Sequence, residues 1–230
     1  MIQMKCVQSM IILWGCILLL NYPVNAQNID LSQERLKPVG VSMEIVNYQG
    51  PKSVKVIKSP EVKGPDQPTF VKVTGSDFKN GVIEAKILSN IAEDAPAMAR
   101  GFIGITFRIN KDNSKFEGMY LRPKNARSEN QLRRNHSVQY FSYPGYSFRV
   151  LRKKSPGKYE SYEDMSIGKW MKIKIEVHDA RAKLFINDDE HPCLIVNDLK
   201  HGPNAHGAVG FWVDGGTEGY FRNLEIKPEI

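Results

Sequence analysis

At 230 residues, with three cysteines and a formal net charge of +7, the chain is long enough for one domain with its own core. It is too poor in cysteine for a disulfide framework. The positive surplus suggests nucleic acid or an anionic surface as partner, but most basic residues are interspersed with acidic ones. Only KNARSENQLRR (124–134) and RVLRKK (149–154) form basic runs; each reads as a solvated loop, and an acidic or sulfated sugar stays open as a partner.

Residues 1–26 read as a signal peptide. Lys5 is their only charge, MIILWGCILLL (10–20) is apolar, and Val24-Asn25-Ala26 suits cleavage after Ala26. The apolar run is shorter than the roughly 20 residues of a spanning helix, so no transmembrane segment is expected once the leader is removed. Cys16 could serve a lipoprotein signal, although Trp14 suits it poorly and the apolar run continues beyond it. The expectation is one domain over 27–230, secreted or periplasmic rather than an outer-membrane lipoprotein. Export conflicts with a nucleic-acid role. Cys193, left alone, reads as a buried small hydrophobe.

Downstream of the leader the pattern is strand-like throughout. Short alternating runs predict strands at 42–48, 53–58, 69–73, 81–88, 101–110, 116–122, 136–141, 147–151, 170–178, 183–186, 194–196, 208–213 and 222–226. Gly, Pro, Asn and Asp punctuate them, as in QGP (49–51), KNG (79–81) and NDD (187–189). Residues 28–38 read as an entry segment pairing with a sheet edge, 90–99 as a short helix or an excursion, and 140–148 as an aromatic rim loop. About a dozen strands in one domain imply an all-β, two-sheet antiparallel sandwich.

Side-chain parity then sorts the faces. Ile103, Ile105, Phe107 and Ile109 share one side of their strand, with Gly104, Thr106 and Arg108 opposite. Met119 and Leu121 oppose Tyr120 and Arg122; Val138 and Tyr140 oppose Ser137, Gln139 and Phe141; Val209, Phe211 and Val213 oppose Gly210, Trp212 and Asp214. If these strands share a sheet, its non-core face carries Arg108, Tyr120, Arg122, Gln139 and Trp212, spaced by small residues. Such a face suits sugars, whose C–H faces stack on rings and whose hydroxyls meet Arg and Gln; Tyr143 and Tyr146 would add rings at the rim. An ordinary exposed sheet face is the competing reading. In 170–178, by contrast, Lys172, Lys174 and Glu176 mark a plain solvent face.

The pieces DFKNGVIEAKI (77–87), GFIGITFRI (101–109), FEGMYLRP (116–123), HSVQYFS (136–142), GKWMKIKIEVHDARAKLFIND (168–188) and AVGFWVDGGTEGYFRNLEIKP (208–228) together carry a likeness. In order and character they resemble the concanavalin A-like jelly-roll superfamily. Within it they resemble the secreted bacterial 3-keto-disaccharide hydrolase domains, also described as glycoside hydrolase family 16-like. The resemblance implies carbohydrate bound on a curved sheet. It also implies calcium at a sandwich edge as a candidate ion, for which Asp214 and Glu218 could supply oxygens; no other cofactor is implied.

The paired carboxylates of true family 16 glucanases are missing. Elimination from a 3-keto sugar needs only a base and an oxyanion stabiliser; Glu117 or His136 could be the base and Arg108 or Arg122 the stabiliser. His201 and His206 form a weak metal pair. Three functions therefore stay open. The first is a carbohydrate-binding domain, the second a hydrolase or lyase of oxidised sugars, and the third a non-catalytic protein-interaction module similar to laminin G domains.

Overall fold

The computed structural model describes residues 27–29 and 31–229. The leader, its cleavage site and Cys16 lie outside the described residues. No helix among the described residues is long and apolar enough to cross a membrane.

Two antiparallel sheets stack face to face. The eight-stranded sheet runs in the order β13 (Leu194–Val196), β12 (Arg181–Ile186), β11 (Met171–His178), β6 (Gly81–Ile91), β15 (Thr217–Pro228), β4 (Lys52–Lys58) and β3 (Val41–Asn47), with β1 (Gln27–Asn28) also on β15. The seven-stranded sheet runs β10 (Glu160–Ser161), β9 (Val138–Tyr143), β8 (Phe116–Leu121), β7 (Ile103–Ile109), β14 (Gly207–Val213), β5 (Phe70–Phe78) and β2 (Leu36–Val39). The entry segment does pair with an edge, through β2 on β5.

Most predicted strands are present, and one is not. Two short helices, α1 (Pro123–Ala126) and α2 (Gln131–Arg134), lie between β8 and β9, and residues 148–151 of the predicted 147–151 strand belong to a third, α3 (Phe148–Lys154), that follows β9. Five residues of alternation are too few to separate a strand from one helical turn. The 90–99 segment is an excursion: β6 ends at Ile91 and the chain runs without regular structure to β7.

The sheets differ in how they meet water. β11 alternates buried and half-buried positions, and its Lys172, Lys174 and Glu176 face outward as the pattern predicts. In β7 and β8 every residue is buried. Ile103, Ile105, Phe107, Met119 and Leu121 join the core between the sheets. On the opposite face of their sheet Phe70, Ile109, Phe116, Tyr120, Phe141, Ala208 and Trp212 form a second apolar cluster. The seven-stranded sheet is thus covered on both sides, which requires that excursions from its ends fold over its outer face.

Glycines make room for that outer cluster. Across the sheet, Gln139, Tyr120, Gly104, Trp212 and Phe70 are consecutive partners in β9, β8, β7, β14 and β5. Because Gly104 has no side chain, the rings of Tyr120 and Trp212 close over it to a centroid separation of 4.7 Å. A Cβ at Gly104 would lie 2.6 Å from Cβ of Tyr120 and 2.2 Å from the carbonyl oxygen of Met119. Gly104→Ala should therefore lower unfolding free energy by about 1–3 kcal/mol, the usual cost of overpacking. Chemical denaturation measures this, and an unchanged midpoint would show that the ring pair is not tightly fitted.

Candidate functional site

The outer face of the seven-stranded sheet divides into a sealed part and an open part. The sealed part is aromatic. Trp212 is fully buried; its ring lies 5.0 Å from that of Phe141, and its Nε1–H donates to the carbonyl of Gln67 at 3.0 Å. Gln67 belongs to the 59–69 connection, which lies across this cluster. Tyr143 stacks on Phe116 at 5.3 Å, and its carbonyl meets Nε2 of His201. Parity placed Trp212 and Tyr120 on the correct face, but Trp212 and Tyr143 are packing groups and not a stacking platform. The covering connection is distant in sequence, so alternation could not reveal it.

The open part lies at the Leu121 end of β8. It is a cavity of about 560 Å³, walled by the 92–102 excursion, the segment after β8, α3 and the 59–69 connection. Tyr120, Arg122, His136, Phe102 and Phe148 are among the residues that line it. Arg122 anchors the floor. It is 4% exposed and donates from Nη1 to the carbonyl of His136 at 2.8 Å. From Nη2 it donates to the Tyr120 hydroxyl at 2.7 Å and to Oε1 of Gln139 at 3.3 Å. Its guanidinium also sits 4.8 Å from the Tyr120 ring and 5.2 Å from the Phe148 ring. Tyr120, Arg122 and Gln139 are therefore brought together as parity implied, with Gln139 behind the arginine as its support.

His136 belongs to this cavity too. Its Nδ1 lies 2.8 Å from Oε2 of Glu160, a carboxylate that Arg152 grips at 2.6 Å. Burial lowers the imidazole pKa and outweighs the pull of Glu160, which favours the neutral ring. Glu160, Phe148 and Arg152 are site components that the sequence reading missed. Only the basic run at 149–154 hinted at them.

Two expected site residues lie elsewhere. Glu117 shares its parity with Met119 and Leu121 and points between the sheets, fully buried. It accepts from the Tyr140 hydroxyl and from the backbone N–H of His201. It cannot be a base in the cavity. Arg108 lies at the same end of the sheet as Glu117, the end opposite the cavity. It donates to the carbonyls of Lys79, Asp179 and Gly202, fastening three connections together. β7 carries one extra residue there relative to β14, and Arg108 has φ of 54°. This bulge flips the register, sending Ile109 to the outer cluster and Arg108 to the end of the sandwich.

The calcium candidates are each held by a lysine. Asp214 is 2.6 Å from Lys58, and Glu218 is 3.1 Å from Lys55. Among the described residues no group of three ligand-type side chains could hold a metal. His206 pairs with Asp77, apart from His201. Cys193 is half-buried against the core, and burial pushes its thiol up to about 12, so it is no nucleophile at neutral pH.

Asp66 ties the wall of the cavity together. Its Oδ2 accepts from the backbone N–H of Phe148, and its own N–H donates to Oδ2 of Asp214. Burial raises its pKa to about 6, against the opposing pull of the Phe148 N–H and the charge of Arg122. A carboxylate raised on folding adds stability that is complete below about pH 4 and is lost as pH rises through 6. Relative to Asp66→Asn, the wild type should lose up to about 3 kcal/mol between pH 4 and pH 7.5. Paired denaturation curves across that range measure the gap; a constant gap contradicts the assignment.

No family model matches the chain, and no curated protein does. Solved structures are similar to it in fold. A carbohydrate-binding module, CBM66, from Bacillus subtilis shares 14% identity over 81% of this chain and 94% of its own, with a TM-score of 0.51. A Bacillus subtilis protein of unknown function with a galectin-like fold shares 13% over 84% of this chain and 89% of its own, at 0.52. An inferred glycosyl hydrolase from Parabacteroides distasonis shares 11% over 84% of this chain and 99% of its own, at 0.50. The fold is an all-β concanavalin A-like jelly roll, as the sequence implied.

Proposed function

We propose that the protein binds carbohydrate in the Arg122 cavity. One observation carries this reading. A fixed guanidinium, an imidazole whose neutral form burial favours, and the half-buried side chains of Phe102 and Phe148 border one space of about 560 Å³, with the buried Tyr120 beneath them. Apolar ring faces beside a few oriented polar groups are what a sugar requires, and the volume suits a small ligand. The carbohydrate-binding module among the structural neighbours shares the architecture only; the functional reading rests on the cavity. With 1–26 as a leader, the binding would take place outside the cytoplasm.

The cavity, and not Trp212, is the place to test it. Arg122→Gln should weaken binding on a glycan array or by calorimetry at least tenfold, because the charge and the N–H donors not used inside the protein are lost. Phe102→Ala, at a half-buried position, should weaken it with little effect on folding. Unchanged affinity in both variants, or no glycan bound by the wild type, would refute the reading.

A catalytic version is favoured by one feature, the neutral His136 with Glu160 at its Nδ1. In that version His136 is the base that takes the C2 proton of a 3-keto glycoside, and Arg122 stabilises the enolate. Release of the aglycone from a 3-keto-glucoside, lost in His136→Ala with binding retained, is the expected result. Absence of release from the wild type leaves a binding protein only.

A further inference from the structure

The cavity is more basic than the rest of the chain. Across all 230 residues Lys and Arg number 32 against 25 Asp and Glu. Around the cavity stand Lys58, Arg100, Arg122, Arg133, Arg149 and Arg152, with Asp214 as the one acid in the lining. The two basic runs of the sequence, 124–134 and 149–154, both deliver arginines to it. They are separate segments of the chain and arrive from the segment after β8 and from α3.

Part of this charge is already neutralised inside the protein. Lys58 pairs with Asp214, and Arg152 with Glu160. Among the described residues, Arg100, Arg122, Arg133 and Arg149 have no carboxylate within ion-pairing distance. Arg122 is the telling case. It is nearly wholly buried, and its hydrogen bonds go to a carbonyl, a phenol and an amide, all neutral. Around the single ring of Phe148 the guanidinium carbons of Arg122, Arg149 and Arg152 stand at 5.2, 5.6 and 5.2 Å. Asp66, with its carboxyl raised to about 6 and in the field of Arg122, offsets part of this charge at neutral pH, but the like charges of Arg149, Arg133 and Arg100 still oppose one another around the cavity. A bound anion relieves that repulsion, and arginine forks match the planar oxygens of a carboxylate or the oxygens of a sulfate.

Resting on the carbohydrate reading above, we propose that the ligand is an anionic saccharide, with a carboxylate or sulfate on the ring that reaches Arg122 and Arg149. The half-buried rings of Phe102 and Phe148 take its C–H faces, with Arg100 and Arg133 among the residues that line the cavity. A bounded cavity with aromatic walls, and not an extended basic track, favours a saccharide over a nucleic acid.

The experiment is calorimetry at two salt concentrations with matched probes. One pair is an oligogalacturonate and its methyl-esterified form; the other is a sulfated chondroitin disaccharide and its desulfated form. Single-stranded DNA and polyphosphate are the non-saccharide polyanions. At least one charged saccharide should bind ten or more times tighter than its neutral partner, with affinity falling as salt rises. The pair that shows the preference identifies the anion as carboxylate or sulfate. Arg149→Ala and Arg133→Ala alter exposed side chains, so folding should survive, and each should cut the preference severalfold. Equal binding of charged and neutral forms would overturn this inference and leave the carbohydrate reading standing. Polyanions bound as tightly as the saccharides would overturn it in favour of nonspecific charge attraction. No binding of any saccharide would bring down the carbohydrate reading itself.

Discussion

A sheet with apolar side chains on both faces cannot leave either one to water. The seven-stranded sheet has this property, because Phe70, Phe116, Tyr120, Phe141 and Trp212 line the face turned away from the interlayer core. Covering them falls to the connections at the ends of the strands. The 59–69 connection caps Trp212, α3 places Phe148 over Arg122, and the 92–102 excursion brings Phe102 beside Tyr120. Where these covers fail to meet, a cavity remains. The site is thus a consequence of how the outer face is closed, and the glycines at 104 and 118 that seat the rings are as necessary to it as its own lining.

The covers are tied to one another by polar contacts that converge near the cavity. Lys58 holds Asp214, Asp214 holds the backbone of Asp66, and Asp66 holds the first turn of α3. On the other side Glu160 links Arg152 of α3 to His136. This network uses most of the nearby carboxylates in fastening the walls. Among the described residues Arg100, Arg133 and Arg149 have no ion-pair partner, and their mutual repulsion opposes stability unless a ligand supplies the opposite charge. Burial favours the neutral form of His136 against the pull of Glu160, and the neutral form is what either a hydrogen-bonding or a proton-accepting role would need.

Much of this was legible in the sequence, for a simple reason. Strand parity is local, and it correctly assigned Tyr120, Gln139, Phe141 and Trp212 to the outer face. It failed at Arg108 because one inserted residue reverses the alternation, and nothing in GITFRIN (104–110) announces a bulge. Glu117 was misjudged although parity already aligned it with Met119 and Leu121; a carboxylate on a core face is a structural acceptor before it is a base. What the sequence could not show was cover. Whether Trp212 is open or sealed depends on a connection more than a hundred residues earlier in the chain, and whether two basic runs are loops or one wall depends on their meeting in space.

The central claim is that ligand enters beside Arg122 and leaves the aromatic block undisturbed. Heteronuclear NMR during titration with an acidic oligosaccharide tests this directly. The indole N–H of Trp212, bonded to Gln67, should hold its chemical shift, while the backbone amides around Arg122, His136 and Phe148 and the arginine Nε–H signals move together. A Trp212 indole resonance that shifts with saturation, and silence at Arg122 and Phe148, would contradict the account.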